Sequence, residues 1–241
     1  MVEPLDKKKS AILLKKLSSH LPLIVNLSHQ KGGVGKSTLA YNIADGFRTL
    51  GFKVRLLDMD IQNTCRGLNA LRERAFSDIE QINDKKRLVE IINSSSMDGS
   101  GILVIDTGGF DLALSRLAIM GADINLCPIS DRVTDLLAIV QKYSQTLKEI
   151  ESSTNTPVSS YVILNRIHLF AKHFEHIEEM IEVTPRVEMF KTIVRERAIY
   201  DKSFIDGRSV FEANELEGYK MAMDEILSVC HELIEIYVNK G

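Results

Sequence analysis

The sequence has no tryptophan, only 6% aromatic residues, five prolines and three cysteines. So little proline, with no Gly- or Ser-rich tract, excludes collagen-like and linker-rich chains. Cys65, Cys127 and Cys230 lie far apart without a CxxC pair. That excludes a zinc knuckle, a thioredoxin motif and a self-contained disulfide framework, and a reducing cytoplasm is the expected setting. A dominant charge is also missing, since 30 Lys+Arg face 33 Asp+Glu for a net −3. No global basic field can pull the protein onto nucleic acid or anionic lipid, so any such binding must be local. No apolar run reaches the ~18–20 residues that cross a bilayer. The basic start, Met1 to Lys16, lacks a following signal-peptide core of adequate length. What remains is an ordinary globular chain of 241 residues, 44% hydrophobic and 26% charged.

Residues 1–20 form a distinct basic extension, with Lys7, Lys8, Lys9, Lys15 and Lys16 against Glu3 and Asp6. Ala11, Ile12, Leu13, Leu14, Leu17 and Leu21 supply one apolar face of a short helix with lysines on the other. Packing on the domain and reaching toward DNA or a partner are both open to it. From residue 21 to 241 we expect one domain. Short β-type runs alternate with helical stretches: LPLIVNLSH, Ser37–Leu50, FKVRLLDMD, GILVIDTGG, Leu112–Met120, DINLCPIS, Val133–Ile150 and SSYVILNRI. Alternation of this kind specifies a twisted, mostly parallel central sheet with crossover helices on both faces, the α/β class. Leu23–Leu27, Val54–Leu57 and Ile102–Ile105 are nearly continuous apolar runs, as strands covered on both faces must be. The polar stretch 63–100 reads as two helices. Further expected elements are a helix near His173–Ile181, a short strand around Arg186–Met189 and a final helix from about Glu215 to Val238.

The decisive segment is Lys31-Gly32-Gly33-Val34-Gly35-Lys36-Ser37-Thr38, directly after an apolar strand and before a helical pattern. This is a P-loop in its required context. Its glycines let successive N–H groups turn toward phosphate oxygens, and the following helix adds the positive end of its dipole. Lys36 is placed for the β- and γ-phosphates of ATP, Ser37 for Mg²⁺ and Thr38 for the α-phosphate. The first position of the strict pattern is Gln30 instead of glycine, and a second lysine, Lys31, stands inside the loop. A lysine there is poorly placed to fold back onto phosphates its own loop surrounds, but it can reach a nucleotide held by a second subunit.

With that extra lysine the sequence resembles the deviant Walker A ATPases of the ParA/MinD group. The resemblance implies an ATP-bound homodimer in which Lys31 contacts the partner's nucleotide. The segment VRLLDMDIQ delivers Asp58, Asp60 and Gln62 at a strand end, similar to the family's DxDxQ, with Ile61 where proline is common. By that resemblance Asp60 orients the hydrolytic water and joins Ser37 and Asp106 around Mg²⁺, while Asp58 and Gln62 belong to a nucleotide-sensing switch. The competing reading is a surface turn capped by two aspartates. Asp106 ends the buried run ILVID, the Walker B pattern, although a helix N-cap aspartate looks the same. Thr107, Gly108 and Gly109 stand where partition ATPases often carry Thr-Pro-Pro, and they make a mobile candidate γ-phosphate switch. Asn165 and Arg166 end VILNRI, where the family uses a polar side chain at the adenine edge; a simple turn is the alternative.

The second half carries the use of the ATP. MFKTIVRERAIYDKSFIDGRSVFE is similar to the partition-ATPase stretch in which basic residues of the ATP dimer grip DNA without reading its sequence. We therefore expect Arg195, Arg197, Lys202 and Arg208 to touch nonspecific DNA, with the N-terminal lysines secondary; solvation of a helix or pairing with Glu196 and Asp201 competes. The expected cycle is an ATP-dependent dimerising switch, nucleoid-associated when ATP-bound, that positions a plasmid, chromosome region or other cargo. A ParB-like or other adaptor would stimulate its slow hydrolysis. A MinD-like membrane role is the alternative, but the terminal MDEILSVCHELIEIYVNKG has an acidic polar face that anionic headgroups repel, so no membrane insertion is expected. An assembly factor or synthetase on the same fold is the other alternative.

Overall fold

A computed structural model describes residues 7–75, 78–98, 101–108 and 112–240. Among these, seven strands form one sheet: β1 (Leu23–Leu27), β2 (Val54–Asp58), β3 (Ile79–Gln81), β4 (Ile102–Asp106), β5 (Ile124–Ile129), β6 (Ser160–Leu164) and β7 (Val187–Met189). Their order is β3-β2-β4-β1-β5-β6-β7, with every pairing parallel. Of the five inner strands, β4, β1, β5 and β6 are buried along their whole length, which is why their sequences run apolar without alternating. Asn26 interrupts β1 and is answered by its register partner Asn125 on β5, whose Oδ1 accepts from Asn26 Nδ2 at 2.8 Å. A buried amide without such a partner would cost about 1–3 kcal/mol.

Successive side chains leave opposite faces, so each strand feeds two cores. Leu23, Val25 and Leu27 pack with α2 (Lys36–Thr49), α9 (Ala198–Phe204) and α10 (Tyr219–Lys240). Ile24, Leu103 and Ile105 face the other way, toward α4 (Lys85–Asp98) and α5 (Leu112–Gly121). Beside them α6 (Val133–Ala138) runs through a π-helical turn at Ile139–Tyr143 into α7 (Ser144–Thr154), which with α8 (Glu175–Glu182) covers β5 and β6.

The basic extension is a helix, α1 (Lys7–Ser18), docked on α10. Leu17 is fully buried, and Ser10 Oγ lies 2.7 Å from His231 Nε2. Its Lys9, Lys15 and Lys16 remain exposed. In the polar stretch the structure has α3 (Thr64–Leu71) and α4 as expected, plus the edge strand β3, which was not expected. Only three residues long and half-buried, β3 lacks the apolar run that marks the inner strands. The last helix starts at Tyr219, four residues later than expected, and leaves the segment before it in turns.

Candidate functional site

β1, β4 and β2 are adjacent, and register aligns their C-terminal ends: Leu27 pairs with Asp106, and Asp106 with Asp58. One row of the sheet therefore sets the two carboxylates side by side beneath the loop leaving β1. That loop carries residues 30–35, with Gly33 and Gly35 at φ 79° and 90°, a backbone region that side chains disfavour. Gly35 is fixed doubly, because a Cβ there would run into the side-chain amide of Asn165. The loop closes onto the N-terminus of α2, where Lys36 is buried and donates from Nζ to the Lys31 carbonyl at 3.3 Å. Ser37 and Thr38 follow in the first turn of α2, partly exposed.

The two loop lysines point to different places. Lys31 Nζ turns outward and pairs with Asp135 at the start of α6, also donating to Thr134 Oγ1 at 3.2 Å; its side chain stays 42% exposed. Asp135 also accepts from Ser130 N and Oγ, and with the Lys31 bond this holds its carboxyl below the usual range despite burial. Gln30, where glycine was expected, donates to Thr146 Oγ1 at 2.9 Å and ties the loop to α7. His29 is buried and accepts from Lys31 N at 2.8 Å through Nδ1. Burial first, then Lys36, lowers it to about 4, so the ring is neutral.

Asp106 is fully buried, and its Oδ1 has no hydrogen-bond partner. Burial foremost, with Asp58 adding, raises its carboxyl to about 7, against the opposing Ser37 and Cys65 hydrogen bonds and Lys36. An orphaned carboxylate oxygen beside the P-loop serine and lysine fits a Mg²⁺ ion. Among the described residues no group of three or more His, Cys, Asp or Glu side chains could hold a metal alone. A magnesium ion here would take its other ligands from Ser37, phosphates and water.

Asp58, also buried, accepts from Asp60 N at 3.1 Å and Arg66 N at 3.0 Å, so it braces the turn and the start of α3. Asp60 is partly exposed and caps Gln62 N at 2.9 Å, while Gln62 is exposed. Thr107 is buried with its hydroxyl on Leu27 O at 2.6 Å. Gly108 lies so near this turn that a Cβ would stand 2.9 Å from Met59 O. Gly109 lies outside the described residues. Cys65, Cys127 and Cys230 are free and fully buried, as expected of core thiols. Burial and the neighbouring Asp106 and Asp58 push the Cys65 thiol well up, so it stays protonated.

Asn165 does reach the loop, but as a brace: it is buried and donates to Val34 O at 2.8 Å. Arg166, at φ 58°, reaches Gly33 O at 3.1 Å and Glu196 at 3.4 Å. The four expected DNA-contacting side chains do not form a free basic patch. Arg197 is committed to Glu225 at 2.6 Å, both side chains nearly buried. Arg208 bonds Asp206 and Glu215 at 3.1 and 2.7 Å. Arg195 donates to the carbonyls of His168 and Ala171 at 3.1 and 2.8 Å. Lys202 alone of the four is exposed with no side-chain partner among the described residues. Sequence reasoning missed His29, Cys65 and Asp135. The position of Asp135, an acid just after the end of β5 on the rim where β1 ends, was the available signal.

A family model described as AAA domain matches residues 23–156, from the start of β1 to just past α7. This chain belongs to the ParA/MinD-type ATPase family. Maintenance of carboxysome distribution protein A of Halothiobacillus neapolitanus is 26% identical to it over 222 residues, 90% of this chain and 99% of that protein. Among solved structures, the MinD cell division protein of Aquifex aeolicus matches with a TM-score of 0.66 at 18% identity, over 86% of this chain and 96% of that one. The septum site-determining protein MinD from Pyrococcus horikoshii, complexed with Mg-ADP, matches with a TM-score of 0.63 at 17% identity, over 90% and 99%. The fold of this ParA/MinD-type protein is thus the P-loop fold expected from the Lys31–Thr38 loop, built on the parallel sheet that the alternation of its sequence specifies.

Proposed function

We propose that the protein is an ATP-hydrolysing positioning switch, in which ATP and Mg²⁺ join two copies into a dimer that holds nonspecific DNA. The observation that carries this reading is the division of labour between the two loop lysines. Lys36 is buried inside its own loop, whereas Lys31 stands at the rim with nearly half its side chain in solvent. An outward amine on a phosphate loop suits a phosphate outside that loop, and the triphosphate of a facing copy is the one that symmetry supplies. A bound Mg²⁺ would neutralise phosphate charge; Asp106 and Ser37 would hold it, and Asp60 would orient the attacking water. Similarity to a carboxysome-distribution protein over nearly its whole length supports a positioning role.

For the DNA contact, exposure favours Lys202 and the α1 lysines Lys9, Lys15 and Lys16 over the three arginines already engaged within the chain. A dimer presents each lysine twice, which steepens the salt dependence of binding. The membrane alternative gains nothing from the structure. Glu225 and Glu232 of α10 serve Arg197 and the backbone of Lys191 and Thr192. No helix of the described residues is long and apolar enough to cross a bilayer.

The test is a titration of nonspecific duplex DNA without nucleotide, with ADP and with ATP–Mg²⁺, at two salt concentrations, alongside Lys36→Ala. We expect tight, salt-sensitive binding in ATP–Mg²⁺ only, lost in the variant together with dimerisation by light scattering. Equal DNA affinity in all three states would refute the switch. ATP consumption that strictly requires a small carboxylate would indicate a synthetase instead, and sedimentation with anionic liposomes in ATP a membrane role.

A further inference from the structure

The helix that follows the Asp58–Gln62 turn delivers a group to the metal-facing carboxylate. Cys65, in the first turn of α3, is fully buried with its Sγ 3.4 Å from Asp106 Oδ2 and 3.7 Å from Ser37 O. The neighbouring residue Arg66 gives its backbone N–H to Asp58 Oδ2 at 3.0 Å, which fixes the helix start against the end of β2. The two oxygens of Asp106 are therefore unequal. Oδ2 is occupied by the thiol, and Oδ1 is buried with no partner.

We propose that Cys65 is a positioning residue for magnesium: its S–H holds Oδ2 of Asp106, which turns Oδ1 toward the ion and ties the Asp60 turn to the same carboxylate. A carboxylate on a buried strand end can rotate about its terminal bond, and the two oxygens would exchange roles at little cost were neither held. The Cys65 thiol, alongside the Ser37 hydroxyl that also bonds this carboxyl, removes that freedom, as partners of ligating side chains commonly do. A thiol suits the place because it is a weak donor without charge, so it orients the carboxylate without neutralising it. Contact with Ser37 O adds that the same sulfur spans the two chain segments from which the metal's protein ligands come.

This inference rests on the nucleotide reading above, and the experiment separates the two. Fluorescent ATP analogue binding is measured against Mg²⁺ concentration for wild type, Cys65→Ala and Cys65→Ser, with melting temperature recorded for each. The expected result is a Mg²⁺ half-saturation raised about tenfold in Cys65→Ala, with unchanged nucleotide affinity in EDTA. Cys65→Ser, which keeps an O–H donor, should recover most of that loss. A purely structural cysteine would lower the melting temperature of Cys65→Ala and leave the Mg²⁺ half-saturation where it was; that outcome overturns the proposal. So does a serine variant as impaired as alanine when both are folded. If the wild type itself binds no nucleotide, the P-loop reading fails first and the role of Cys65 falls with it.

Discussion

Replacing Asp106 by asparagine should make the metal-free protein more stable and at the same time blind it to magnesium. In the folded chain this carboxyl is raised from 3.8 to about 7, chiefly by burial. A folded value above the unfolded one means that the folded state holds the proton more tightly. Stability therefore falls as pH rises from about 4 to about 7 and levels off beyond, the opposite of a salt-bridged aspartate. At 1.36 kcal/mol for each tenfold change in proton affinity, the span amounts to on the order of 4 kcal/mol at pH 8. Asparagine keeps an oxygen for Cys65 and carries no charge, but its amide then lacks an acceptor where Oδ1 stood, at a cost of about 1–3 kcal/mol. The net gain at pH 8 is about 2 kcal/mol, or roughly 4–8 °C in Tm for a chain of this size. Thermal melts of both proteins at pH 5 and pH 8, with EDTA and with Mg²⁺–ADP, read this directly. Taking the difference between the two proteins cancels the groups that titrate in the window without interacting with Asp106, leaving Asp106 and its coupled neighbour Asp58. The variant should melt higher than wild type at pH 8 in EDTA, lose that advantage at pH 5, and gain less from Mg²⁺–ADP. A variant that tracks wild type at both pH values would refute the assignment of Asp106 as a strained, ion-awaiting carboxylate.

Asp60→Ala should bind ATP normally yet hydrolyse it ~100-fold more slowly, since among the described residues its carboxylate holds no structural partner beyond Gln62 N; single-turnover hydrolysis at the wild-type rate would remove Asp60 from the reaction. Arg197→Ala should lower stability by about 3 kcal/mol in urea melts by leaving the nearly buried Glu225 carboxylate without its cation, with the Arg195 backbone N–H as its remaining donor. Lys202→Ala should leave the melts unchanged but weaken DNA binding and flatten its salt dependence. The reverse pattern would return Arg197 to the DNA surface. Asp135→Asn removes the charge that holds Lys31 in its own chain, and the ATP concentration needed for dimerisation by light scattering should drop about fivefold; an unchanged or higher requirement would mean that the Lys31–Asp135 pair does not oppose assembly.

The sequence makes the phosphate loop and the inner strands legible because both depend on short-range rules. Glycines at 33 and 35 are forced by positive φ, and Leu23–Leu27 and Ile102–Ile105 are apolar because both their faces are covered. The position of Asp106 at a buried strand end follows from the same rule. What the sequence does not show is which partner a polar side chain finds across the fold. Lys31 meets Asp135, Arg197 meets Glu225 and Cys65 meets Asp106, all separated by 28 residues or more. Charge counting thus read a basic patch at residues 195–208 where three arginines are internally satisfied. Strand β3 escaped for a different reason, since three half-buried residues at a sheet edge need no hydrophobic signature.

The register row Leu27–Asp106–Asp58 also explains why the loop after Asp106 carries glycine. With β1, β4 and β2 adjacent, Thr107 is held to β1 through Leu27 O, and residue 108 must then pass directly over the chain leaving β2. A Cβ at Gly108 would sit 2.9 Å from Met59 O and 3.0 Å from Asp60 Cα, so backbone lies against backbone. The turn holding Asp60 and the loop following Asp106 are consequently one packed unit. Neither can shift by an ångström without displacing the other. If a γ-phosphate drew in one segment, as proposed for a nucleotide switch, it would move the other, and the glycine is the condition for that contact. A proline at position 108 would carry a Cβ into that contact and require a different path for the loop over Met59, so Gly108 and the close approach at Met59 and Asp60 must change together.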